Sequence, residues 1–461
     1  MSNFRVNSIR LVGLLFFVLF LVRCSSDDSG KYQPIATVTQ PDEIEVNQNA
    51  SVVIPFLEND TNIPIDAEIS LSAALNGNAA IQTNATDDTV LDDTVLYTPD
   101  ANFTGTDTFS YYICSPTNAE DCVEGLITVT VLPVSGVAYQ IDQEPHPALS
   151  DYLFFEQPLQ DLIPTYGVLL YEPINSLFSD YAHKKRFIWM PQGVSAAYVD
   201  DASVLDFPLG TILIKNFYYE NVQPNNQTLL LETRLMLKTS SGWEFANYVW
   251  NEEQTDAFLD MEGSYKTVDW LENGVPKSVN YRIPSEAECF TCHKSGPVSI
   301  PIGPKPQNLN KNLVYSGIAM NQLQKLIEVG YLENSVPQSI NTVVPWDDAT
   351  QSLDLRMRSY ADINCAHCHS DERHCDYRPM RFAFNESENE VNLGVCVEPE
   401  ELFDGLTHIV SPGNINRSML YFRVSTTLAQ RRMPLLGRTI VHEEAVAMIE
   451  EWINSLTTVC Q

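Results

Sequence analysis

The chain has 461 residues, of which 44% are hydrophobic and 10% aromatic, so a wholly disordered chain is excluded. It carries 60 Asp and Glu residues against 27 Lys and Arg residues, which gives a formal net charge of -33. A chain this acidic repels phosphate backbones, so nucleic-acid binding is disfavoured and cations or basic proteins are the expected partners. The length suits two to four domains of ordinary size.

Residues 1–24 are predicted to be an export signal, because a basic start precedes the short apolar run Leu11–Val22. The run ends at Cys24, and a Ser/Asp-rich stretch follows in the predicted linker 25–33. This arrangement resembles a bacterial lipoprotein signal with a lipidated cysteine, and the Ser/Asp tract resembles the surface-export tag of Bacteroidetes lipoproteins. Arg23 departs from the pattern, and an ordinary secretory signal is the alternative. We expect a lipid-anchored protein of the outer membrane or cell surface, in an oxidising compartment.

Residues 34–133 are predicted to form a β-sandwich. Apolar and polar side chains alternate with period two at 109–113 and 127–131, and Asn and Gly mark turns between the short segments. The stretch from Tyr97 to Tyr111 resembles the signature of bacterial cadherin-like and Ig-like modules. Such modules are spacers or adhesive arms, and no catalytic constellation lies in this segment.

Two further features of this segment concern its stability. Cys114 and Cys122 flank a short loop, so a disulfide between them is predicted. The pairs Asp87-Asp88 and Asp92-Asp93 are candidate calcium ligands, since calcium takes six to eight oxygen ligands. A solvated acidic loop is the alternative reading of these pairs.

Residues 137–275 are predicted to form a mainly-β unit. The runs 211–217, 229–237 and 243–250 are rich in β-branched and aromatic residues and are bounded by Gly, Asn and Pro. His183 lies in a basic segment of this unit. It either stays at the surface or reaches a cofactor.

The chemistry is concentrated in residues 276–461, where two strings match Cys-x-x-Cys-His. They are Cys289-Phe290-Thr291-Cys292-His293 and Cys365-Ala366-His367-Cys368-His369. Two thiols at this spacing can form thioethers with the two vinyl groups of one haem, and the histidine that follows supplies an iron ligand. We therefore predict two covalently attached c-type haems, with His293 and His369 bound to iron.

Two other readings of these strings are weaker. A thioredoxin-like redox pair needs one Cys-x-x-Cys within a βαβ pattern, which the sequence lacks. A zinc site with four thiolates would use both cysteine pairs but leaves the histidine after each pair unexplained.

The second ligand of each iron is sought among the methionines. Met433 precedes Pro434 in a loop before a final amphipathic helix, in which Met448 falls on the apolar face. The order of motif, long connection, Met-Pro and final helix resembles small class I cytochromes c, and it implies a mainly-α region with Met433 as ligand of the second haem. For the first haem the candidate is Met320; His183 or an open site are the alternatives.

Residues 145–461 resemble a family of exported bacterial dihaem c-type cytochromes of unassigned role. The resemblance rests on several strings: Leu177-Phe178-Ser179-Asp180-Tyr181-Ala182, Pro208-Leu209-Gly210-Thr211, Glu232-Thr233-Arg234, Ile302-Gly303-Pro304, both haem motifs and Met433-Pro434. It implies haem binding and electron transfer. In some members the unit accompanies a quinoprotein-type sugar dehydrogenase, so an exported dehydrogenase of this kind is an expected redox partner.

Three cysteines remain after lipid, haem and the first disulfide are assigned: Cys375, Cys396 and Cys460. A bridge between Cys375 and Cys396 is predicted, because it closes a short loop beside the second haem motif. Cys460 is then left without a partner.

Three functions compete. The leading one is a surface-tethered electron carrier between an exported dehydrogenase or membrane cytochrome and an acceptor. The second is an enzyme, a dihaem peroxidase with one open iron site. The third is an adhesion or glycan-binding lipoprotein in which the haem regions are secondary.

Overall fold

The computed structural model describes residues 32–83 and 89–460 and divides into two compact units at Pro133–Val134. The predicted signal peptide with its lipidation site Cys24, and the acidic pair Asp87-Asp88, lie outside the described residues. None of the helices in the described ranges has both the length and the apolar character needed to cross a membrane.

The first unit is a β-sandwich of two sheets. One sheet has the strand order β1-β7-β6-β3, with β1 parallel to β7, and the other has the order β2-β5-β4. The strands are β1 (Asp42–Asn47), β2 (Val52–Ile54), β3 (Glu68–Leu71), β4 (Gly77–Gln82), β5 (Thr94–Pro99), β6 (Gly105–Ser115) and β7 (Asn118–Leu132).

The core of the sandwich follows the predicted alternation. Phe109, Tyr111 and Ile113 on β6 are all buried against the facing sheet, and the alternate residues of β7 join them. A disulfide joins Cys114 to Cys122, which lie directly opposite each other on β6 and β7. The sandwich fold is therefore confirmed for this unit.

The calcium expectation concerns the segment before β5. Asp93 is buried, and both Asp92 and Asp93 interact with other groups of the chain. A candidate metal site needs at least three His, Cys, Asp or Glu side chains whose ligand atoms converge. In the described ranges one such group is found, and it lies in the second unit. Carboxylates therefore do not gather around Asp92 and Asp93 in the described part of the chain.

The second unit is built on an eight-stranded sheet with the order β13-β12-β11-β10-β14-β15, in which β9 also pairs with β10 and β8 pairs with β9. The three predicted strand runs lie in β10, β11 and β12. The strands are β8 (Leu169–Tyr171), β9 (His183–Trp189), β10 (Ile212–Val222), β11 (Gln227–Thr239), β12 (Gly242–Trp250), β13 (Ala257–Leu259), β14 (Ser264–Glu272) and β15 (Val275–Ile283).

The two faces of this sheet have different roles. One face contributes Phe187, Ile214, Leu235 and Tyr248, all buried, to an apolar core that includes two 3₁₀ turns before β8. The opposite face carries apolar and charged side chains towards the C-terminal region. Because side chains alternate along each strand, consecutive residues of a strand lie on opposite faces of the sheet.

The C-terminal region wraps the second face with short helices, two β-ribbons and long loops. The helices are α1 (Glu286–His293), α2 (Pro306–Leu309), α3 (Gln322–Glu328), α4 (Leu353–Asn364), α5 (Met419–Ser425) and α6 (Glu443–Ser455). The ribbons pair β16 (Lys294–Ser295) with β17 (Val298–Ser299), and β18 (Asn312–Tyr315) with β19 (Ile318–Asn321). Turns and loops make up most of this region, so the expected mainly-α character is only partly present.

Helix α6 confirms the predicted amphipathic helix. Its apolar face places Met448 and Trp452 in a core, where they pack with Met357 and Ala361 of α4. Met448 is therefore a packing residue, as its position on the predicted helix face indicates.

Polar contacts hold this core against the sheet. The buried carboxylate of Asp180, just before β9, accepts hydrogen bonds from the backbone N–H groups of Thr439 and Ile440. The side-chain oxygen of Asn364, at the end of α4, accepts a hydrogen bond of 2.8 Å from the N–H of Phe178. The middle and C-terminal segments thus belong to one compact unit.

Candidate functional site

The first Cys-x-x-Cys-His motif lies on helix α1. The helix begins after Ser285, whose backbone N–H donates to the carboxylate of Glu288 in a capping box. Cys289, Cys292 and His293 occupy positions i, i+3 and i+4, which share one face of a helix. The helix therefore presents both thiols and the imidazole to one side.

The imidazole of His293 is oriented by a backbone contact. Its Nδ1 lies 2.9 Å from the carbonyl oxygen of Ile300, so Nδ1–H donates and Nε2 is left as the free acceptor. Burial lowers the pKa of His293 to about 4, so the ring is neutral at pH 7. A neutral ring with a free Nε2 is the form that binds a metal.

The second motif begins where α4 ends. Cys365 is the residue that follows the helix, and a further turn forms as the N–H groups of Cys368 and His369 donate to the carbonyl of Cys365. Burial lowers the pKa of His369 to about 4, and the Phe382 ring packs perpendicular to the imidazole. The Nδ1 of His369 has no hydrogen-bond partner among the described residues.

Each motif lines its own cavity. Cavity 1, between α1 and the sheet, is lined by all three residues of the first motif and by β9, β10, β11 and β12. Cavity 2, among α4, α5 and the loop before α6, is lined by all three residues of the second motif. Cys292, His367, Pro434 and Leu436 line both cavities, so the two cavities are adjacent.

At the boundary between the cavities, a thiol of the first motif lies close to a thiol of the second. Ligand atoms of Cys292, His367 and Cys368 lie within 4.8 Å of one another. The pKa of the Cys292 thiol is held well below its usual range because Cys368 and His367 donate hydrogen bonds to it. The Nδ1 of His367, a buried residue, has no partner among the described residues.

This cluster bears on the zinc alternative. It brings together one thiol of each motif and leaves out Cys289 and Cys365, as well as the motif histidines. A four-thiolate zinc site needs all four thiols around one point. In the described residues the four thiols therefore do not converge on one such zinc site.

The methionines are distributed unequally between the cavities. Met433 lines cavity 2, as do the more deeply buried Met380 and Met419. Met320, the candidate ligand of the first haem, lies on β19 and lines neither cavity. Met236 on β11 lines cavity 1, a position that the search between the two motifs missed because it precedes both in the chain.

His183 also lies away from both cavities. It is an exposed residue at the start of β9, and its ring stacks on Tyr218 at 5.3 Å. The structure thus favours the surface position among the two that the sequence left open.

The second predicted disulfide is wrong. Cys396 is bridged to Cys460, with 5.2 Å between their Cα atoms, and Cys375 is free and buried. Cys375 lies beside the second motif, where its N–H donates to the carbonyl of Cys368 and it lines cavity 2. Cys460 returns to Cys396 because α6 packs in the same core as Cys396.

Some strings that carried the family resemblance also surround cavity 1. Leu177, Ser179 and Asp180 line it, as do Arg234 and the segment 302–304. These residues are far apart in the chain and share this cavity in the fold. The sequence therefore held a signal for the cavity, although not for its geometry.

Comparisons with known proteins cover mainly the first unit. Residues 32–130 match the model of the bacterial Ig domain family. No curated protein matches the chain.

Two solved structures of cadherin repeats also align with the chain. Protocadherin Gamma B7 extracellular cadherin domains 1-4 is 11% identical and covers 53% of this chain and 74% of its own, with a TM-score of 0.18. PcdhgB3 EC1-4 is also 11% identical and covers 53% of this chain and 73% of its own, with a TM-score of 0.18. TM-scores this low carry no argument about the fold. The family match does carry one: residues 32–130 match the bacterial Ig domain model, which supports an Ig-like module in the first unit.

Proposed function

We propose that the second unit is a dihaem c-type cytochrome that carries electrons in the cell envelope. The observation that carries this proposal is that two adjacent cavities are each lined by a complete Cys-x-x-Cys-His motif. One such motif has other readings, but two motifs that open into two neighbouring cavities fit two haems.

The residues present fit covalently attached haem. The four motif thiols, of Cys289, Cys292, Cys365 and Cys368, are free to form thioethers. His293 and His369 are neutral and would bind iron through Nε2; for His293 the hydrogen bond to Ile300 supports this directly. Haem bound in this way supplies reversible one-electron chemistry.

The protein's own residues determine how the two sites relate. The Cys292 and Cys368 sulfurs lie within 4.8 Å of each other, so these two residues would hold the two haems at neighbouring attachment points. Such proximity suits transfer of electrons within the unit. His367 lies at the same boundary, buried and with Nδ1 unpartnered among the described residues.

Cavity 2 suits a second iron ligand from the protein. Its lining includes Met433 on the loop between α5 and α6, and the backbone of Met433 is fixed by hydrogen bonds to Arg423 and from Arg438. A thioether ligand raises the potential of a haem. We propose Met433 as this ligand, with Met380 and Met419 as the other thioethers in reach of the cavity.

The cell location and partners are part of the same proposal. Covalent haem attachment by this motif fits an exported protein, in agreement with the predicted signal and the lipid anchor at Cys24. With a net charge of -33, the chain would be steered towards a redox partner with a basic surface. An exported quinoprotein dehydrogenase or a membrane cytochrome is the proposed donor, and the Ig domain is a spacer.

The deciding experiment is a pyridine haemochrome assay with redox titration of the full-length protein, expressed with a haem-attachment system. We expect two haems per chain and two midpoint potentials. Cys292→Ala should leave the first haem absent or attached by a single thioether, with the second unchanged. A wild-type chain that contained zinc and no haem would overturn the proposal.

A dihaem peroxidase is the second candidate, and one observation favours it. Cavity 1 is lined by several cations and by Asn247, whose side-chain amide has no partner among the described residues. Polar groups of this kind could act on a molecule bound at an open iron. A high-spin haem that reacts with peroxide would support the enzyme; two low-spin haems would support the electron carrier.

A further inference from the structure

The sheet face in cavity 1 carries a row of polar side chains across four strands. Lys215 on β10 pairs with Arg186 on β9 and with Arg234 on β11, and Arg234 pairs with Asn247 on β12. Residues directly opposite on neighbouring strands point to the same face, and all four line cavity 1. We call these four residues the polar row.

Three of the four residues in the polar row are cations, in a chain with a large excess of acidic groups. Like charges directly opposite on a sheet destabilise it unless an anion lies between them. Arg234 forms an ion pair with Glu232, but neither Arg186 nor Lys215 forms one with any described residue. Burial, followed by the charges of Arg186 and Arg234, holds the pKa of Lys215 well below its usual range.

The existing contacts of these two cations leave donors free. Arg186 is only 7% exposed, and its guanidinium donates one hydrogen bond, of 2.7 Å, to the hydroxyl of Ser176. The Lys215 Nζ lies 4.8 Å from the centre of the Phe217 ring. Neither contact supplies a negative charge, so both side chains keep N–H donors for an anion.

Asn247 gives an independent indication of a ligand. The residue is 3% exposed, and neither the oxygen nor the nitrogen of its side chain has a hydrogen-bond partner among the described residues. A buried amide left unpaired is destabilising, because the hydrogen bonds it makes to water in the unfolded chain are not replaced. A molecule in cavity 1 with acceptor oxygens would satisfy its N–H donors.

The next row of the same face is apolar. Leu213 pairs with Ile188 on one side and with Met236 on the other. Met236 pairs with Phe245, and the Phe245 ring contacts His293. Cavity 1 therefore has an apolar strip beside the polar row. A ligand that fits both has an apolar body with carboxylate groups at one edge.

We propose that the polar row binds carboxylate groups in cavity 1. Carboxylates accept up to four hydrogen bonds and pair well with guanidinium and ammonium groups. Two sources offer this chemistry: the propionates of a haem held by Cys289 and Cys292, or a free carboxylate molecule. The first source rests on the proposed function; the second does not.

The test uses the full-length protein with Lys215→Met and Asn247→Leu, and Lys325→Met as control. The control removes the same charge from α3, which lines neither cavity. Haem content is measured first. Midpoint potentials are then determined by redox titration, and acetate is titrated into each protein by calorimetry, which works with or without haem.

If the polar row binds haem propionates, Lys215→Met should lower the potential of one haem, because loss of a nearby positive charge favours the ferric state. Asn247→Leu should shift the potential of the same haem, and the control Lys325→Met should leave both potentials unchanged. In this case the wild-type protein should not bind acetate. If the row binds a free carboxylate, wild-type protein should bind acetate, and Lys215→Met should weaken that binding roughly tenfold.

Unchanged potentials in both variants together with no acetate binding by the wild-type protein would overturn the proposal. If haem is absent from the wild-type chain, the proposed function fails on that measurement alone. The acetate titration then decides the fate of the polar row separately.

Discussion

The Nδ1 atom of His293 lies 2.9 Å from the carbonyl oxygen of Ile300. Ile300 comes just after the β16–β17 ribbon, so the ribbon brings this carbonyl back to the end of α1. The contact fixes the tautomer and leaves Nε2 as a ligand atom. The β16–β17 turn would therefore orient the iron ligand of the proposed haem in cavity 1.

The first prediction concerns this imidazole. His293→Ala should leave the first haem attached through Cys289 and Cys292 but deprive its iron of one ligand, so the optical and EPR spectra should change to a high-spin form. His183→Ala is the matched control, because His183 is exposed and lines neither cavity. A spectrum altered by His183→Ala and not by His293→Ala would show that the ligand is misassigned.

The second prediction concerns Met433, which lines cavity 2. Met433→Ala should lower the potential of the second haem and make it high-spin, since a thioether stabilises the ferrous state. Redox titration and optical spectra provide the measurement. The haem should stay attached, because Cys365, Cys368 and His369 are unchanged.

Met448→Ala is the control for Met433. Met448 is 3% exposed in the α6 core, so its truncation should lower the free energy of unfolding by about 2 to 5 kcal/mol and leave the spectrum unchanged. If Met433→Ala leaves spectrum and potential unaltered, the same substitution at Met380 and then Met419 identifies the ligand.

Local patterns were enough to predict much of the fold. Alternation at 109–113 predicted a strand, because half-buried strands have a period of two, and runs rich in β-branched and aromatic residues predicted β10 to β12. The spacing of Ala445, Met448 and Trp452 reported α6 for the same kind of reason. The two motifs were visible because their thiols and histidine are adjacent in sequence.

What the sequence did not give depends on long-range pairing. The polar row needs the registers of four strands, and no single segment reveals that Arg186, Lys215, Arg234 and Asn247 lie side by side. The cysteine pairing failed for a related reason. Loop length favoured the nearby Cys375, whereas the packing of α6 decides which sulfur reaches Cys396.

The third prediction concerns the bridge between Cys396 and Cys460, which are 64 residues apart. In the chain-entropy model, removing a bridge over a loop of this length costs about 4 kcal/mol. The double variant Cys396→Ala/Cys460→Ala should lower the free energy of unfolding of the second unit by up to this amount, measured by urea titration.

Cys375→Ala distinguishes the two possible pairings. Because Cys375 is a free thiol in the structure, its replacement should leave the number of disulfides unchanged. Loss of one disulfide in Cys375→Ala, counted by thiol labelling of the unfolded protein, would restore the pairing with Cys396 that the sequence suggested.

The fourth prediction concerns pH and His442, which precedes α6. Its ring stacks on Phe178 with 4.1 Å between ring centres, and its Nδ1 lies 3.2 Å from the hydroxyl of Tyr360. Burial lowers its pKa to about 4; the charge of Glu444 opposes this shift, while the charges of Lys184 and Arg438 add to it. The folded protein therefore holds this histidine neutral.

Because the pKa of His442 is lower in the folded than in the unfolded chain, the unfolded chain binds more protons between pH 6.5 and 4. The stability that the neutral ring contributes is present above pH 6.5 and is lost as the pH falls to about 4. Between pH 7 and pH 5 this loss amounts to about 2 kcal/mol for one such histidine.

His442→Phe keeps an aromatic ring beside Phe178 but cannot be protonated. Urea unfolding of the second unit at pH 7 and pH 5 should show a smaller fall in stability for this variant than for the wild-type protein, by about 2 kcal/mol. His183→Phe is the control, because it makes the same substitution at an exposed position. If stability falls equally for His442→Phe and the wild-type protein, protonation of His442 does not cause the loss of stability at low pH. The buried His367, at the boundary of the two cavities, would be replaced next.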